Sequence, residues 1–188
     1  TASNYALTTG KINIATGGTL TSNNSTITLN ATSGTLWTQT GTFTAGTSTV
    51  VMNGNGAPTL TSGTITFYNL TLSPTITVAR IYTFGSGALT INGDFNINPT
   101  AASALALTVN MGAAISTTGT TTITGTTSAT SNLNTISGSN YALSSGALTI
   151  QTAGTLTANA SAITVTGNYS NSGTFTAGTS TVTLSGSS

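Results

Sequence analysis

Ten residues, GTFTAGTSTV, stand at 41–50 and again at 173–182. They belong to a longer copy, because residues 3–33 align without gaps to residues 139–169 with about half the positions identical. The two stretches of likeness are separated by a four-residue difference in length. A chain that uses one module twice must fold so that the module's surfaces fit their own kind, the condition met by repeat architectures. Related modules span 3–54 and 139–186, within a single domain covering 1–188.

A shorter rhythm runs through the copies and between them. Apolar residues alternate with polar ones, mostly Thr, over four to six positions before Gly, Asn or Ser interrupts, as at 11–14, 26–29, 64–67, 75–78, 88–91, 147–150, 162–165 and 179–184. Period two sends one side chain inward and the next outward, which predicts strands. Thr, Ile and Val suit that pleated, half-buried surface. Roughly twenty such strands fit in the chain. Residues 101–111 have the most helical composition, but their second half alternates and is read as strand.

The expected fold is all-β: a right-handed parallel β-helix, or β-solenoid, of about eight coils. At roughly 20 to 25 residues per coil it forms a rod of about 40 Å. The alternative is a β-sandwich, pilin-like subunit, whose antiparallel hairpins would use the Asn-Gly pairs at Asn53, Asn55 and Asn92 as tight turns.

Charge narrows the function. Only Lys11, Arg80 and Asp94 carry it, 2% of the chain where an ordinary domain has about 25%. A net charge of +1 supplies too few phosphate contacts for nucleic acid and no attraction to an anionic membrane. No apolar run approaches the roughly 18 residues of a membrane helix. Barrel strands need about nine to eleven residues, more than most strands here, so membrane insertion is not expected. Thr1 and the lack of a basic-then-apolar leader read as a mature, processed or excised chain. A neutral surface without edge lysines favours self-association.

The chain has no His, no Cys and no Glu, so catalysis, cofactor binding and metal binding are not expected. A Ser-Lys dyad would have to use Lys11, whose counterpart in the second copy is Ala147. Asp94, in Asn92-Gly93-Asp94, lacks the acidic company of a calcium site and reads as a turn residue. Arg80 lies near Asp94 or in solvent. Trp37, Phe67, Tyr68, Tyr82 and Phe84 read as core rings rather than a platform for sugars.

The Thr-x-Thr pairs at 19/21, 26/28, 42/44, 47/49, 64/66, 75/77, 155/157 and 174/176 resemble the ice-binding faces of antifreeze β-helices. Such a face needs one fixed position per coil. The spacing here is irregular, and strand propensity with ladder stacking accounts for the same residues. Asn23, Asn24, Asn30, Asn69, Asn159 and Asn168 head glycosylation sequons, which a chain so rich in Asn, Ser and Thr also produces by chance.

The run GTFTAGTSTV, followed by Asn53-Gly54 and then TFYNLTLS at 66–73, resembles the threonine-rich β-strand repeats of large bacterial surface proteins, filamentous-haemagglutinin-type adhesins and autotransporter passengers. The resemblance implies a right-handed β-helix, an extracellular or cell-surface location, a structural or adhesive role and no catalytic residues. The expected function is therefore a non-enzymatic subunit or segment of a self-associating filament or stalk, joined end to end. The alternatives are a pilin that lends a strand from 1–7 or 179–188 to its neighbour, and an ice- or glycan-binding module whose partner would be ice or surface glycans.

Overall fold

The computed structural model describes residues 4–136 and 138–186. Among them are 24 strands and no helix, and every strand pairing is parallel. The chain is a β-solenoid. The sandwich alternative is thereby corrected, since hairpins pair strands antiparallel.

One sheet has eight strands, in the order Ile12–Ile14, Thr35–Gln39, Thr59–Ser62, Arg80–Thr83, Leu105–Asn110, Ala129–Asn134, Gly154–Thr157 and Thr174–Thr176. Eight rungs leave seven steps, or about 34 Å of axis at the usual strand spacing. Most of the remaining strands form a 12-stranded sheet that carries the other two strand segments of most turns, while Thr19–Thr21 and Thr42–Thr44 form a sheet of their own in the first two. A turn is shortest from Ile163 to Val182 and longest from Ile115 to Leu143.

Alternation becomes inside and outside. Leu29, Met52, Leu72, Ile97, Ile123 and Ile150 stack rung upon rung and are fully buried. Beside them Thr28, Val51, Thr71, Asn96, Thr122 and Thr149 make an outward column. Each buried Leu or Ile contributes about 1.5–3 kcal/mol, so this single column is a large share of the core. The strand expected over 75–78 stops after Thr75–Ile76, leaving Val78 exposed.

The Asn-Gly pairs serve close approach between coils rather than hairpins. A Cβ added at Gly56 would stand 1.8 Å from the carbonyl oxygen of Thr32 on the coil beneath, and one at Gly54 would stand 2.1 Å from that of Ala31. Only hydrogen fits there, because real carbon-oxygen contacts begin beyond 3 Å.

The two copies do not lie straight above one another. The ladder that begins at Leu7–Thr9 ends on residues 148–150 and Tyr169–Asn171, counterparts of Ile12–Ile14 and the strand above it. The ladder that begins at Ile12–Ile14 ends on Gly154–Thr157 and Thr174–Thr176, counterparts of Thr19–Thr21 and Thr42–Thr44. With three strand segments per turn, the second copy is displaced around the axis by one segment. The lower and upper modules thus present the same residues on different faces.

Candidate functional site

The charged groups are scattered, and Arg80 and Asp94 find partners locally. Arg80 Nε donates to Asn55 Oδ1 at 3.1 Å, not to Asp94. The Asp94 N–H donates to Asn69 Oδ1 at 2.9 Å, and Asp94 Oδ1 accepts from the Thr120 N–H at 2.8 Å. Asn69, Asp94 and Thr120 are therefore consecutive steps of a corner ladder, consistent with the turn role expected of Asp94. Lys11 is exposed and its ammonium lies over Gly34. Among the described residues no three His, Cys, Asp or Glu side chains gather as a metal site.

The rings face inward. Trp37, Phe67, Tyr82 and Phe84 are buried and Tyr68 is half-buried. Trp37 meets Phe43 edge-on at 4.6 Å and Phe67 at 5.0 Å, and its Nε1 donates to Gln39 Oε1 at 3.2 Å. Trp37 also has a counterpart that the gapless alignment hides. It stands on Ile12 as Tyr169 stands on Leu148, so the four extra residues of the first copy fall between Leu29 and Trp37.

The Tyr82 hydroxyl donates to the Gly54 carbonyl. Burial pushes its phenol well above the ordinary tyrosine value, with the nearby Arg80 guanidinium opposing that shift. In the unfolded chain this phenol ionises near pH 10 while the folded one keeps its proton, so the unfolded state binds fewer protons and stability falls as pH climbs past ~10. Between about pH 5 and 9 a chain with no histidine and one acidic side chain has little to titrate. Denaturation midpoints should stay level to about pH 9 and then drop, and Tyr82→Phe should remove most of that drop. An equal alkaline decline in the variant would place the cause elsewhere.

Threonine columns form but are short. Thr19 and Thr21 stack under Thr42 and Thr44 in a sheet of two strands. Their counterparts Thr155 and Thr157 stack under Thr174 and Thr176 on another sheet, where the rung below is Asn132 and Asn134.

Of the sequon residues, Asn23, Asn24, Asn30 and Asn168 are exposed. Asn69 and Asn159 are half-buried and already spend their amides: Asn69 Nδ2 donates to Thr49 Oγ1, and Asn159 Nδ2 donates to Asn134 Oδ1 and Thr135 Oγ1. A glycan at either would cost the ladder those bonds.

The terminal coils are the surfaces that sequence reading placed least well. Leu7 is 41% exposed where its counterpart Leu143 is 1% exposed. At the other end Val182 is 40% and Leu184 58% exposed, whereas their counterparts Val50 and Met52 are fully buried. Tyr169 is 38% exposed against none for Trp37. Around Leu7 the end coil opens as a hollow of about 420 Å³ bordered by Ile12, Ile14 and Leu20. Among the described residues the strands there, Leu7–Thr9, Ile12–Ile14 and Thr19–Thr21, pair on one side only, as do Tyr169–Asn171, Thr174–Thr176 and Thr181–Leu184 at the opposite end. The strand-lending alternative meets an obstacle in the same pairs, since Leu7–Thr9 and Thr181–Leu184 are already rungs of their own chain, while residues 1–3 and 187–188 lie outside the described residues. Comparison with protein-family models, with curated proteins and with solved structures finds no match to this chain.

Proposed function

We propose that the protein is a non-enzymatic structural element of the cell surface or extracellular space, a unit of a filament or stalk that associates end to end. The observation that carries this reading is the unbroken ladder of eight parallel rungs in a chain with only three charged side chains. Backbone N–H and C=O groups point along the axis in such a stack, and a sheet edge invites another rung. A body held by axial hydrogen bonds and an apolar core is stiff along that axis. Its almost uncharged surface offers neither repulsion between copies nor a gathered set of reactive groups. The extracellular setting rests on the likeness to bacterial surface repeats.

Electron microscopy of the purified chain tests the reading. Filaments of constant width with an axial repeat near 4.8 Å are expected. Discrete particles one solenoid long at high concentration would overturn it. Thermal-hysteresis and glycan-array measurements on the same sample separate the ice- and glycan-binding alternatives, and the short Thr arrays favour neither.

A further inference from the structure

We infer that the corner at Ala158 binds one long-lived buried water molecule, held by the hydroxyls of Ser161 and Ser180 and the carbonyls of Thr176 and Ala177. The comparison that points to it lies inside the chain, because this corner is built twice. In the first module it consists of residues 22–25 with 45–48 on the rung above, and in the second of residues 158–161 with 177–180 above. The backbone repeats bond for bond. The Ser22 N–H donates to the Thr44 carbonyl at 3.1 Å and the Ala158 N–H to that of Thr176 at 2.9 Å; the Thr47 N–H donates to the Asn23 carbonyl at 2.6 Å and the Thr179 N–H to that of Asn159 at 2.7 Å. The Ser48 N–H reaches the Ala45 carbonyl at 3.0 Å, and the Ser180 N–H that of Ala177 at 3.1 Å. Even the left-handed residues agree, with φ of 49° at Asn23 and 52° at Asn159.

What differs is one oxygen. In the first corner Ser22 Oγ is the hub, bonding Ser48 Oγ at 2.9 Å and the Ala45 carbonyl at 3.0 Å, with the Thr44 carbonyl at 3.3 Å. Its counterpart in the second corner is Ala158, whose methyl group offers no hydrogen bond. The consequence falls on the serines around it. Ser161 is 1% exposed, and the Oγ atoms of Ser161 and Ser180 are buried with no hydrogen-bond partner among the described residues. They occupy successive rungs of one column, since their neighbours Ala162 and Thr181 pair directly. Ser25, the counterpart of Ser161, is only half-buried and can turn to bulk solvent. Thr135, on the rung beneath Ala158, cannot serve either serine, because its hydroxyl already donates to the Ala158 carbonyl at 2.8 Å and accepts from Asn159 Nδ2 at 3.1 Å.

Buried hydroxyls without partners are costly, and internal waters settle where such groups converge with carbonyls, making about three bonds each. Water fits this set by donor count. The two serine hydroxyls donate to its oxygen, and its two hydrogens go to the Thr176 and Ala177 carbonyls, counterparts of the pair that Ser22 Oγ approaches. A cation would lack a counter-charge, since Asp94, the one acidic side chain, belongs to the ladder of Asn69 and Thr120.

Magnetic relaxation dispersion of isotope-labelled water counts the molecules that a protein holds for longer than it takes to tumble. The unaltered chain is compared with Ala158→Ser, a change that the first corner already accommodates at Ser22, and with Ser161→Ala/Ser180→Ala. Ala158→Ser should retain one long-lived water fewer, because its own hydroxyl takes over the carbonyls and Ser180. The double variant should also retain one fewer, because the groups that donate to the water are gone. An unchanged count in Ala158→Ser overturns the site, whatever the double variant does. A loss in Ala158→Ser with none in the double variant overturns the assignment to the two serines.

Discussion

Val50→Asp should cost about 4 kcal/mol or more in folding stability, while Val182→Asp, at the same place in the same ten-residue run, should cost about 1 kcal/mol and abolish assembly. Val50 is fully buried, with Ile27 on the rung below and Leu70 on the rung above. A carboxylate there has no partner and must give up its charge or open the coil. Val182 has Ile163 below it and, among the described residues, no rung above, so a carboxylate at that position reaches water. In an end-to-end filament, however, a second copy would lie over it and desolvate it on contact. Urea melts of the two variants give the stability difference, and light scattering gives assembly. Equal destabilisation by both would mean that the terminal coil is as well covered as the interior. Unchanged filaments from Val182→Asp would mean that the joint lies elsewhere.

The paired behaviour of one peptide in two places also marks how far the sequence could be read. Period-two alternation located Thr26–Leu29, Leu89–Ile91 and Ala162–Val165 because each has one face in the core, and alternation is the direct record of that. Parallel coiling was legible because short strands without hairpin spacing need neighbours to cover them. The one-segment displacement of the second module was not legible. It accumulates over residues 55–138, which carry no copy of either module and so offer nothing to align.

The role of Gly54 and Gly56, offered as hairpin turns only under the sandwich alternative, was not legible for a similar reason. An Asn-Gly pair looks the same in a hairpin as in a coil corner that must pass close above a carbonyl. Alternation also says which side chain points inward but not that the interior accepts hydroxyls. Thr117, Thr121 and Ser145 are buried side by side near the centre of the rod, with Ser145 Oγ donating to Thr121 Oγ1 at 2.9 Å. Inward polar residues follow from local hydrogen-bond geometry, which a single sequence does not record. The reading of the ends came from surface neutrality alone, and the named residues emerged only when each could be compared with its buried counterpart.

Trp37→Ala should cost about 3–5 kcal/mol, the usual penalty for emptying an aromatic site that cannot collapse. Collapse is prevented here from three directions. Ile12 lies on the rung below and Thr61 on the rung above, and the edges of Phe43 and Phe67 hold the ring from the side. Gln39, which takes the indole N–H, would also lose its donor. For a chain of this length the expected fall in Tm is about 10 °C. Trp37→Phe, which keeps a ring but gives up the N–H, should recover more than half of it.

The location of the damage is as informative as its size. In a solenoid each coil is stabilised by the coils next to it, so a void at Trp37 weakens the coils on either side and leaves distant ones nearly untouched. Hydrogen exchange should therefore accelerate from Leu7 to about Leu72 while Leu143–Ile150 and Ala162–Val165 keep their protection. Uniform acceleration along the whole rod would show that the eight rungs unfold as one unit. The ends would then share the stability of the centre, and the contrast between Val50 and Val182 would have to come from solvent access alone.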